Sequence, residues 1–121
     1  MTPKRYRLPT TRQSLTHKVT ITDELGGEHE IYLMVGLYDN GKPGELFVKT
    51  GKWGGTLNGL LDTIGIQTSL LLQYRVSLKR IASKMRGMAF EPSGRTDNPD
   101  IPECSSVVDY IFRWMESKFG E

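Results

Sequence analysis

Residues Thr16–Thr50 read THKVTITDELGGEHEIYLMVGLYDNGKPGELFVKT, and this stretch decides the fold. From Thr16 to Thr22 the side chains alternate and many are β-branched, the pattern of a strand with one buried face. Asp23–Glu28 contains Gly26-Gly27 and reads as a turn. His29–Tyr38 is a second strand, near enough in the chain to pair with the first as a hairpin. Asp39–Gly44 is dense in turn formers: Gly41 and Gly44 accept positive φ, and Pro43 fixes its own. Glu45–Thr50 follows as a third strand, so the first half of the chain reads as an antiparallel meander.

Beyond Thr50 the period changes from two to that of a helix. Leu57, Leu60, Leu61, Ile64, Thr68, Leu71 and Leu72 fall at helical spacing, with Thr56 placed to cap the start. This helix is expected to reach about Tyr74 and to be mostly buried. Ser77 is placed to cap a shorter helix over Leu78–Met85, which Gly87 ends. Met88–Glu91 is short and apolar and reads as a last strand. Pro92–Glu103, with three prolines and a glycine, reads as loop. Ser105–Phe119 is a final amphipathic helix with Val108, Ile111, Phe112 and Met115 toward the core. Upstream, Pro3 and Pro9 disfavour helix, so residues 1–15 read as an extended arm. The expected class is α+β: an antiparallel three- to four-stranded sheet packed against two or three helices, forming one domain over 16–121.

Composition bounds the function. The 121 residues suit one domain. A net charge of +2 is too weak to point to DNA or RNA. Five of the sixteen Lys and Arg do lie in the first eighteen residues (Lys4, Arg5, Arg7, Arg12, Lys18), either as a solvated arm or as one that meets an anionic ligand. Cys104 is the one cysteine, so neither an internal disulfide nor a cysteine-rich zinc site can form, which points to a reducing, cytoplasmic setting. No apolar run is long enough to span a membrane, and the N-terminus lacks the apolar stretch of a signal peptide.

The residues that carry chemistry are few. His17 and His29 lack a clustered third ligand, so no metal or other cofactor is expected. Cys104 precedes a helix, whose N-terminus can lower a thiol pKa, although a neutral thiol near a cap is the simpler reading. No nucleophile elbow or P-loop is present, and no acid–base pair stands out from the solvated loop carboxylates. Two segments fit ligand binding. In Gly51–Thr56, GKWGGT, the backbone N–H groups of Gly54, Gly55 and Thr56 would face an anion at a helix N-terminus, with Lys52 adding charge and Trp53 a stacking surface. In Phe90–Asn98, FEPSGRTDN, Phe90 could stack a base while Ser93, Arg95 and Asn98 grip a phosphate. A capped strand-to-helix turn and an anchored loop explain the same residues without a ligand. Arg113, between Phe112 and Trp114, is a further candidate for ligand phosphate or an interface.

Taken in order, Arg7-Leu8-Pro9, Thr16-His17-Lys18, Val35-Gly36-Leu37-Tyr38, Gly41–Glu45, Gly59–Asp62, Leu72-Gln73-Tyr74, Phe90–Gly94, Asn98-Pro99, Ile101-Pro102 and Asp109–Trp114 resemble the C-terminal TSCPD-type domain of adenosylcobalamin-dependent (class II) ribonucleotide reductases. The resemblance covers about residues 5–115. It implies the module's fold and a nucleotide-linked role, but not the reductase reaction: the catalytic barrel, the cobalamin site and the redox cysteines have no counterpart here, and the literal string Thr-Ser-Cys-Pro-Asp is missing. Stand-alone copies of the module resemble small phage-encoded proteins. The leading expectation is therefore a non-catalytic module that binds a small anionic nucleotide, as a sponge for a host-defence signal in the host cytoplasm. The alternatives are an accessory or regulatory subunit of a split reductase and an oligomerising structural protein without ligand. A modest core favours a homo-oligomer.

Overall fold

Alternation along the meander becomes burial of every second side chain. The computed structural model describes residues 2–51 and 55–120. Strands β1 (Ser14–Thr22), β2 (Glu28–Leu37) and β3 (Pro43–Thr50) bury Val19 and Ile21, then Ile31, Leu33 and Val35, then Leu46 and Val48. Helices α1 (Gly55–Gln73) and α2 (Leu78–Met85) follow, then short strands β4 (Gly94–Thr96) and β5 (Glu103–Cys104), and helix α3 (Val107–Phe119). The sheet order is β3-β2-β1-β4-β5, an α+β fold as the sequence predicts. Both Leu78–Met85 and the four core residues assigned to the last helix are found as expected. The chain forms two compact units, one of residues 1–17 with 32–77 and one of residues 18–31 with 78–121.

In the first unit, α1 covers the outer edge of β3. Gly65 sits so close that a Cβ would lie 2.7 Å from the Leu46 carbonyl oxygen. Ser69 Oγ accepts from Leu46 N–H at 2.9 Å, and Gln73 Nε2 donates to Gly44 O at 3.0 Å. An edge strand's open hydrogen-bonding groups are thereby satisfied by a helix. The helix departs from expectation in one respect: it buries one face (Leu61, Gly65, Thr68, Leu72) and leaves much of its opposite face in solvent. Thr56 lies within its first turn, because the helix already begins at Gly55, whose φ is +87°.

The end of α1 holds the arm. Arg75 N–H donates to Leu72 O and Val76 N–H to Leu71 O, both at 3.0 Å, the double bond of a Schellman cap. Arg75 therefore takes the left-handed conformation, φ 67°, where glycine is usual. Its guanidinium lies 4.0 Å from the Tyr6 ring centroid and 5.6 Å from that of Tyr38. Tyr6 N–H donates to Gln73 O at 2.8 Å, and Arg5 Nε to Gln73 Oε1 at 2.7 Å. Arg12 makes a two-pronged pair with Glu45 at 2.5 and 3.0 Å. Two of the arm's basic residues thus bind the protein itself.

In the second unit the strand expected at Met88–Glu91 is not formed, and the segment read as loop supplies β4 and β5. Ile21 pairs with Thr96 and Thr22 with Arg95, while Gly94 faces Cys104 and Arg95 faces Glu103. Gly94 permits this: its φ is +141°, and a Cβ there would lie 2.1 Å from Thr22 O. The bend between β4 and β5 is closed from within. Thr96 Oγ1 donates to Ile101 O, and Asn98 Nδ2 donates to Tyr110 Oη at 2.9 Å. Helix α3 is buried nearly all round, with Tyr110, Phe112 and Trp114 among the largest enclosed side chains.

Candidate functional site

The second unit contains an open cleft of about 1020 Å³ between the end of α2, the β5 segment and the first turns of α3. Its construction starts at two helix ends. Gly87, φ +81°, stops α2 and turns its N–H toward α3. Ser106 caps α3 by accepting from Asp109 N–H at 2.9 Å. The Asp109 side chain then points back out of the helix. Its Oδ1 accepts from Gly87 N–H at 2.7 Å, and its Oδ2 accepts from Ser105 N–H at 3.1 Å and from Arg113 Nη1 at 3.3 Å.

The electrostatics follow from those partners. Burial on its own would raise the Asp109 pKa, but the two backbone donors and the Arg113 charge outweigh it and hold the carboxyl below the usual carboxylate range. Arg113 also donates to Glu103 O at 2.8 Å, and Arg86 pairs with Glu116 at 2.9 Å. Cys104, at the same wall, is buried, and burial pushes its thiol pKa up. The helix N-terminus nearby does not activate it. Two guanidiniums at an open cleft can meet an anion, but each is already shared with a carboxylate. The arrangement suits binding by exchange of partners and offers no activated nucleophile.

The structure places the sequence candidates as follows. Arg113 lines this cleft. Arg95 is exposed on β4 and stands in register with Glu103, whose carbonyl Arg113 engages. Ser93 is half-buried and Phe90 is 44% exposed, with Pro92 between them buried. Asn98 is turned inward: besides Tyr110, its Oδ1 accepts from Asp100 N–H at 3.0 Å. Gly55 and Thr56 are exposed at the start of α1 in the first unit. Lys52, Trp53 and Gly54 lie outside the described residues. Among the described residues, no three His, Cys, Asp or Glu side chains group as metal ligands would, and no helix is long and apolar enough to cross a membrane.

Arg86 and Asp109 are site residues that the motif reading passed over. The signals were there: Ser106-x-x-Asp109 has capping-box spacing, and Asp109 and Arg113 stand at i and i+4.

The family model for the TSCPD domain matches residues 1–119, and the chain belongs to that family. Its relatives include the vitamin B12-dependent ribonucleotide reductase of Rhodopirellula baltica, 49% identical over 117 residues that make up 97% of this chain and 11% of the reductase. The enzyme of the same name from Streptomyces avermitilis is 41% identical over 97% of this chain and 12% of its own length. That from Agrobacterium fabrum is 34% identical over 91% of this chain and 8% of its own. The chain thus spans about a tenth of the relatives it matches. No solved structure matches it.

Proposed function

We propose that this protein is a non-catalytic TSCPD module that serves a B12-dependent ribonucleotide reductase as an accessory or regulatory piece. The observation that carries the reading is the near-complete match of this chain to about a tenth of such reductases, at 49% identity in the Rhodopirellula baltica enzyme. The chemistry agrees with a binding role. A lone buried thiol with a raised pKa cannot act as a reducing dithiol. A corrin ring is broad and largely apolar, and the polar, ion-paired cleft at Asp109 does not fit it. The test is co-purification of the tagged chain with a reductase catalytic chain from the same genome. A stable complex, or a changed reductase rate on adding the module, supports the reading; neither effect at micromolar concentrations refutes it.

A second reading, sequestration of a small anionic nucleotide as a phage-type sponge, draws on Arg86 and Arg113 at the cleft. It requires the ligand to displace Glu116 and Asp109 from these guanidiniums, which favours the first reading. Mass analysis of small molecules released on heating the purified protein decides it: a stoichiometric nucleotide supports the sponge, and a ligand-free protein ends it.

A further inference from the structure

Helix α1 carries an apolar face that the first unit covers only in part. Leu57, Leu60, Ile64, Gln67, Leu71 and Tyr74 recur at alternating steps of three and four, the seam of a coiled coil. Leu60 is 57% exposed, Leu71 39% and Tyr74 42%, with Leu70 beside them also exposed, while Leu57 and Ile64 are half-buried. A surface helix ordinarily turns charges to water. This one has a single ionisable side chain, Asp62, already bound to Lys49 Nζ at 2.9 Å.

We propose that this face pairs with α1 of a second copy of the chain, antiparallel, about a two-fold axis between Gly65 and Ile66. Three observations select that occupant. The first is register. Antiparallel coiled coils stack an a residue on a partner d residue, and about this axis Leu57 meets Tyr74, Leu60 meets Leu71, and Ile64 meets Gln67. Every pair closes on itself, as a two-fold interface requires. The second is shape. Gln67, Leu70, Leu71 and Tyr74 already line an apolar depression of about 470 Å³. They stand at i, i+3, i+4 and i+7, the four corners of a hole for one knob, and Leu60 of the second copy lies at its level. The third is charge and area: no like charges meet, and covering the six seam side chains together with Leu70 on each copy buries about 1,000 Å², the lower edge of a specific interface.

Sedimentation equilibrium of the full chain from 5 to about 200 µM tests this, a span chosen for the micromolar association such an area supports. The expected result is a monomer–dimer equilibrium that Leu60→Lys and Leu71→Glu each weaken at least 100-fold. The double variant Leu60→Lys/Leu71→Glu sets opposite charges against each other across the antiparallel pair and restores affinity to within about 10-fold. Unchanged far-UV circular dichroism shows that the variants fold. A chain that stays monomeric throughout overturns the proposal and leaves the face to another protein. So does a dimer indifferent to the single changes, or a double variant that stays apart as a parallel pair would.

Discussion

Asp109 shows how one side chain can fasten several segments. Its carboxylate takes donors from Gly87, Ser105 and Arg113 while its own N–H is capped by Ser106. Replacing it with Ala leaves two backbone donors and a guanidinium short of a partner, and should lower stability by about 3 kcal/mol in a urea titration. Loss below 1 kcal/mol would mean that water replaces the carboxylate. Gly94 is the other strict position. Gly94→Ala adds a Cβ 2.1 Å from a backbone oxygen, at a φ that L-residues avoid, and should cost about 3 kcal/mol or more. A melting temperature unchanged by Gly94→Ala would show that β4 can move off β1. Of the two roles only that of Asp109 left a signal in the sequence, through its spacing to Ser106 and Arg113. Gly94 reads as ordinary turn glycine after Pro92 and Ser93, because only the approach of Thr22 makes it special. Arg113 stands out through its aromatic neighbours and its spacing to Asp109, yet its other partner, the Glu103 carbonyl, comes from a short strand that periodicity does not reveal.

At the scale of elements, two of the three glycines of α1, Gly59 and Gly65, have opposite prospects. Gly59 faces open space, so Gly59→Ala should stabilise by about 0.5–1 kcal/mol through helix propensity alone. Gly65→Ala gains the same propensity but drives a methyl group to 2.7 Å from Leu46 O. It should destabilise by about 1–3 kcal/mol. Thermal melts of both variants check the contrast, and the same sign for both would contradict the close seating of α1 on β3. The meander and α2 could be read from the sequence because each declares itself locally, by alternation, turn glycines and a terminating Gly87. The two small strands could not. Gly94–Thr96 and Glu103–Cys104 are too short to show a period, and prolines surround them. They exist because Ile21 and Thr22 offer a free edge. The exposed side of α1 was misread for a related reason: its leucines look like core, and composition does not say which neighbour covers them.

For the molecule as a whole, acid stability should carry the mark of Asp109. Its folded pKa lies below its unfolded value, so its contribution is complete above the unfolded carboxylate range, about pH 4, and fades as pH falls through the folded pKa. Asp109→Asn should therefore lose stability near neutrality and flatten the decline on acidification. An acid limb as steep as that of the unmutated chain would assign the effect to other carboxylates. Assembly has a time axis as well. Arg5 finds its partner Gln73 only 68 positions later in the chain. At synthesis rates of about 5–20 residues per second, the arm waits for several seconds before the end of α1 exists to receive it. Throughout that delay the Tyr6 ring has only the neighbouring Lys4, and not Arg75, to stack on it. The stack on Arg75 that fixes the arm is thus among the last bonds the first unit can close, however early its residues are made.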